Sequence, residues 1–128
     1  LIKLSPEETY EKGYSRLFFP CGTGHYIGLQ VHDIGGYLAN PQGDLLDKDK
    51  RYPYLRLRRP IETNTVFTVE PGIYFIQQLL KSVKNDKNIN WSKLNHFSQF
   101  GGFRYEDCIA VTEDGIENLS QVGFDSLT

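Results

Sequence analysis

The sequence predicts an α+β fold with a mainly antiparallel sheet and flanking helices, and three observations carry that prediction. Extended segments at 64–69 and 72–76 flank the turn-forming pair Pro71-Gly72. A second pair, 103–112 and 116–119, reads as a hairpin across Asp114-Gly115. The helical signals between these segments are brief, at about 5–13, 77–83 and 91–97.

Each element has a local reason. Ser5-Pro6-Glu7-Glu8 starts a helix: Ser5 caps, Pro6 suits the first turn, and Glu8 can close a capping box. Gly22, Gly24 and Gly28 break any helix through CGTGHYIGLQVHDIGG (21–36), which leaves extended chain and tight turns. Residues 38–50 hold Pro41, Gly43 and a charged run, as a surface loop does. Residues 52–58 are expected as a short strand, and the polar stretch 84–90 separates the two later helices. No repeat or low-complexity tract is present.

The 128 residues suit one domain or one piece of a larger one. The chain contains no Met, which favours a fragment or a trimmed piece over a complete product. A formal net charge of −2 gives no reason to expect a nucleic-acid or membrane-surface partner. No apolar run approaches the roughly 18 residues of a membrane span. Cys21 and Cys108 could form one bridge but no disulfide framework, and reduced thiols in a cytoplasmic protein are the expectation.

Chemistry-bearing residues fall in three motifs: CGTGHYIGLQVHDIGG, VFTVEPGIYF (66–75) and GGFRYED (101–107). His25 and His32 would point to opposite faces of one strand, so a shared site requires a bend, which Gly28 could allow. Two ordinary hydrogen-bonded histidines are the plainer reading. Glu70 precedes Pro71 and should be extended at the end of a strand whose neighbours are largely apolar. A carboxylate buried there needs a metal or a positive partner. Alternation along 103–112 places Arg104 and Glu106 on one face, where a same-strand ion pair would also suffice. Arg56 alternates with Tyr54 and Arg58, as a solvated edge-strand charge would. No CxxC pair, HExxH helix or phosphate loop is present.

Together the three motifs resemble the carboxy-terminal part of the pita-bread metallopeptidases, within them the Xaa-Pro dipeptidases (prolidases), over about residues 15–119. The resemblance implies that residues 1–128 are a partial catalytic domain of the pita-bread (creatinase/aminopeptidase-like) fold. It implies two divalent metal ions, manganese first, with cobalt or zinc possible, and hydrolysis of Xaa-Pro dipeptides by a metal-activated water. His25, Glu70 and Glu106 match metal ligands. His32 and Glu70 match catalytic positions, His32 beside the scissile bond and Glu70 as proton acceptor. Arg56, Arg104 and Cys21 match substrate-binding positions.

Two departures follow. The family's two metal-binding aspartates have no counterpart in these residues, so the isolated chain is expected to be inactive. Where the family has His-Gly-x-Gly-His, this chain has Cys21, a shorter side chain and a weaker hydrogen-bond donor. A non-catalytic binding module that keeps the fold is therefore the alternative. Organophosphate hydrolysis as a side activity completes what the resemblance implies; the intact protein could be a homodimer, and the cytoplasmic location is the expectation from the thiols.

Overall fold

The computed structural model describes residues 1–127. In chain order the elements are α1 (Pro6–Glu11), α2 (Ser15–Phe18), β1 (Val66–Val69), β2 (Gly72–Ile73), α3 (Gln77–Lys81), α4 (Trp91–Phe97), β3 (Phe103–Arg104), β4 (Asp107–Thr112), β5 (Gly115–Asn118) and α5 (Leu119–Asp125). Single 3-10 turns occur at Ile34–Tyr37 and Ser98–Phe100. The chain divides into two compact units, one of residues 1–20 and 72–104, the other of 21–71 and the residues from 105 onward.

The first unit carries all the helices except α5, and the two-residue ladder β2–β3. The capping box at α1 forms as its residues dictate: the Glu8 N–H donates to Ser5 Oγ and the Ser5 N–H to Glu8 Oε2. Gly13, at φ +77°, ends that segment in a conformation that glycine adopts at little cost. Phe18, Leu80, Ile89 and Leu94 form the core. The polar stretch 84–90 is pinned against it, because Tyr14 donates to Asp86 Oδ2 at 2.5 Å and Trp91 Nε1 donates to the Asp86 carbonyl at 2.9 Å.

The second unit is built on the antiparallel sheet β1–β4–β5, with Phe67 opposite Ile109 and Val111 opposite Ile116. Its core is Tyr26, Phe67 and Ile109, with Leu57 and Val111 packed against them. Residues 23–27 run antiparallel along the other edge of β1. There the amides of Ile27, Thr68 and Glu70 donate to the carbonyls of Val66, His25 and Thr23 at 3.0, 2.9 and 2.7 Å. Gly24 makes this approach possible, since a Cβ there would lie 1.9 Å from the Thr68 carbonyl oxygen.

Four expectations are corrected. Residues 52–58 form turns and irregular chain, not a strand. Pro53 offers no N–H, the Leu55 N–H turns back to Tyr52, and the Arg58 N–H is taken by Gly36. The strand expected over 103–112 breaks at Tyr105-Glu106, and its halves pair differently, β3 with β2 and β4 with β1. Its alternation therefore does not run from Arg104 to Glu106. The segments flanking Pro71-Gly72 do not pair with each other, and the Pro71 carbonyl instead accepts from the Tyr105 N–H at 3.0 Å. The final hairpin closes one residue earlier than expected: Thr112 pairs with Gly115 and the turn is Glu113-Asp114. α5 was not signalled by the pattern; its first turn is held by Asn118, whose side chain accepts from the Gln121 N–H.

Candidate functional site

The second unit brings His25 and Glu70 together through the ladder between residues 23–27 and β1. His25, Thr68 and Glu70 are its buried polar residues, at 4%, 2% and 7% exposure. His25 Nε2 lies 2.9 Å from Glu70 Oε1. Thr68 Oγ1 donates to that same oxygen at 2.7 Å and accepts the His25 N–H at 3.0 Å. Glu70 follows β1 in the extended chain that Pro71 requires.

The imidazole's orientation follows from one backbone atom. Nδ1 lies 3.0 Å from the Tyr26 carbonyl oxygen, which can only accept, so Nδ1 carries the hydrogen. In the neutral ring Nε2 then presents a lone pair to the Glu70 carboxylate. Two electron-rich atoms at that separation need a shared proton or a cation between them. A histidine whose other nitrogen donates to a carbonyl is the usual arrangement of a metal-ligating imidazole. An imidazole beside a carboxylate is also a donor set that manganese, cobalt and zinc accept. The pair thus fits as two donors toward a divalent cation. Among the described residues, no group of three His, Cys, Asp or Glu side chains is arranged to hold one.

The Tyr26 carbonyl also accepts the Asp33 N–H at 3.0 Å, which closes the 27–32 loop back on itself. This is the bend that the His25–His32 spacing required. The two rings meet edge to face, 4.5 Å between centroids and 82° between planes. The turn that follows is capped by Asp33, whose Oδ1 accepts the Gly35 N–H at 2.7 Å. A Cβ at Gly28 would fall 2.5 Å from Asp33 Oδ2, so a larger residue there would displace that carboxylate.

The other sequence-derived positions are less concentrated. Cys21 is an exposed thiol. Gly22 beside it runs close to the backbone of Leu55 and Arg56, and Gly36 lies against the Arg56 carbonyl, so Arg56 is held from two sides. The Arg56 guanidinium is exposed and donates to the Tyr37 hydroxyl at 3.1 Å. Glu106 is exposed in the irregular residue pair before β4. Arg104 lies in the first unit, where its Nε donates to the Tyr74 hydroxyl and its guanidinium sits 5.6 Å from that ring. A cavity of about 240 Å³ shares Gly24 and Thr68 with the His25–Glu70 pair and is walled chiefly by Leu55, Leu57, Ile61 and Phe67. Sequence reasoning passed over Thr68. The signal was present, since a residue two before Glu70 on a strand shares its face.

The profile of metallopeptidase family M24 matches residues 4–113. Among curated relatives, Xaa-Pro dipeptidase 2 of Idiomarina loihiensis is 47% identical over 126 residues, covering 98% of this chain. The Xaa-Pro dipeptidase of Actinobacillus pleuropneumoniae is 46% identical over 94% of it. The chain spans only 29% and 28% of the length of these two relatives. Of solved structures, Escherichia coli aminopeptidase P with the inhibitor Pro-Leu superposes with a TM-score of 0.55 at 30% identity, over 94% of this chain and 21% of that one. A zinc-substituted form of that enzyme in complex with product gives 0.56 at 31%, with the same coverage. The α+β elements described above are accordingly those of the pita-bread fold.

Proposed function

We propose, because this chain belongs to metallopeptidase family M24, that it is the carboxy-terminal portion of the catalytic domain of a dinuclear-metal Xaa-Pro dipeptidase. The observation that carries the reading is the buried pair itself: a histidine tied through Nδ1 to a main-chain carbonyl, with Nε2 aimed at a carboxylate oxygen 2.9 Å away. The names of the relatives supply the substrate class, dipeptides with a carboxy-terminal proline.

His25, Glu70 and Glu106 would be this chain's metal ligands, and two aspartates outside these residues would complete the set. When bound, two divalent ions, manganese in the first instance, would supply the Lewis acidity that polarises a scissile carbonyl and acidifies a water. Glu70 accepts the proton from the attacking water. Burial and the facing His25 ring keep its Oε1 inside the pair. His32, packed edge-on against His25, handles protons beside the scissile bond. Arg56 and Arg104 hold carboxylate groups through the planar fork of guanidinium. Cys21 lies where the family's histidine meets substrate.

The test uses the full-length protein, loaded with manganese, assayed for proline release from Leu-Pro against Leu-Ala. Selective cleavage of Leu-Pro, abolished by Glu70→Gln, is the expected result. Manganese binding without turnover of either dipeptide would replace this reading with a non-catalytic module, which the thiol at Cys21 favours. No manganese binding at all would remove both.

A further inference from the structure

We propose that Thr68 is a positioning residue that sets the spacing between the His25 imidazole and the Glu70 carboxylate. The inference rests on the metal-ligand reading of that pair and goes beyond it, to a side chain that the reading does not use.

The argument follows the single proton of the hydroxyl. Thr68 is 2% exposed. Its Oγ1 lies 3.0 Å from the His25 amide nitrogen, which can only donate, so a lone pair is committed there. Of the acceptors near it, Glu70 Oε1 is at 2.7 Å and the His25 carbonyl oxygen at 3.5 Å. The proton therefore goes to Glu70. One atom thus holds the main chain of the histidine and the carboxylate oxygen that faces its ring. The β-branch restricts the torsion about Cα–Cβ, so the hydroxyl direction is set by the strand. Thr68 sits opposite Cys108 in the β1–β4 ladder, and its N–H is held by the His25 carbonyl, so the backbone beneath the hydroxyl is fixed from both edges.

A side chain with this arrangement acts on metal affinity through the ligands it aims. Removing such outer partners typically costs 10- to 100-fold in metal affinity or activity. Valine keeps the shape and loses the hydroxyl, whereas serine keeps the hydroxyl and loses the methyl.

The experiment uses the full-length protein and three variants, Thr68→Val, Thr68→Ser and Glu70→Gln. Manganese affinity is read by calorimetry, the visible absorption of bound cobalt reports ligand geometry, and thermal melts report folding. Expected are manganese binding weakened roughly 10- to 100-fold in Thr68→Val, an altered cobalt band, and recovery to within about threefold in Thr68→Ser. Wild-type affinity and an unchanged cobalt band in a folded Thr68→Val would overturn the proposal while leaving the ligand reading intact. If Thr68→Val does not fold, Thr68→Ser decides: near-native binding supports the hydroxyl's role, and a folded serine variant that binds as poorly as Glu70→Gln overturns it. If Glu70→Gln binds manganese as the wild type does, the ligand reading itself fails and the proposal falls with it.

Discussion

Replacing Gly24 by alanine is the sharpest test of how the candidate site is assembled. A Cβ at this position would stand 1.9 Å from the Thr68 carbonyl oxygen, and real Cβ contacts are essentially never closer than 3.0 Å. The obstacle is backbone on both sides, so residues 23–27 and β1 must separate by about 1 Å. Three amide bonds cross that boundary, from Ile27, Thr68 and Glu70, at 2.7–3.0 Å. Lengthened by about 1 Å they no longer qualify as hydrogen bonds. At about 0.5–1.5 kcal/mol each, their loss costs the local structure roughly 2–4 kcal/mol. Hydrogen exchange in the full-length protein reads this directly, because about 1.4 kcal/mol is a factor of ten. The amides of Ile27, Thr68 and Glu70 should exchange roughly 30- to 1,000-fold faster in Gly24→Ala, and manganese affinity should fall with them. Gly123→Ala is the control, since nothing lies within 4 Å of its Cβ position. Exchange at Thr68 and Glu70 within about threefold of wild type would refute the close approach on which the His25–Glu70 geometry depends.

Other outcomes follow from the same structure. Gly28→Ala drives a methyl into the Asp33 carboxylate, a side-chain end that can swing away; the loss of its bond to the Gly35 N–H should cost about 1 kcal/mol in urea titrations and displace the His32 ring resonances. If the full-length protein has the proposed activity and position 21 its proposed place beside substrate, Cys21→His should raise kcat/KM by roughly ten- to a hundred-fold with manganese content unchanged, the longer side chain then adding a hydrogen bond to substrate; an unaltered kcat/KM at equal metal loading would contradict that role. Ser5→Ala removes the hydroxyl that accepts the Glu8 N–H, the side-chain half of the capping box, and should lower stability by about 1 kcal/mol, measured by urea titration. The Asp86 carboxyl is held below its usual value of 3.8 by the Tyr14 hydroxyl first and the Asn88 amide second. Its folded pKa is depressed, so its contribution is complete above the unfolded value and is lost as pH falls through the folded one. Asp86→Asn should flatten the acid limb of thermal stability, and an unchanged slope would contradict the assignment.

What could be read from the sequence was what is local. The capping box at Ser5-Glu8 and the helix Trp91–Phe97 depend on residues within one or two turns of each other, and both stand where the pattern placed them. Glu70 could be anticipated as extended and buried because the proline after it and the apolar residues around it act over a few bonds. The break at Tyr105-Glu106 could not, because it is decided by which strand each half finds: β3 pairs with the sequence-distant β2, Gly72 to Arg104 and Ile73 to Phe103, and β1 pairs the other half. Alternation within 103–112 carries no trace of that choice. Residues 52–58 show the converse failure. Their alternation was real, but no partner strand reaches them, and a pattern of side chains does not make a ladder by itself. The bend that joins His32 to His25 turns on the Tyr26 carbonyl, an atom common to every residue type, so only the glycines around it hinted at the loop.

That carbonyl has a consequence for how this protein varies. The tautomer of His25 and the closure of the loop bearing His32 both hang on one main-chain oxygen. Replacing Tyr26 by any other residue leaves the oxygen in place, so an alanine scan would record the lost ring packing and the hydroxyl's bond to the Pro60 carbonyl and would pass over the device that aims the imidazole. Drift at position 26 can proceed under the demands of the hydrophobic core alone, without retuning the histidine. Selection for altered activity should therefore find its handles in the glycines and in Asp33, which shape the path of the chain, before it finds them in the residue whose backbone the orientation depends on.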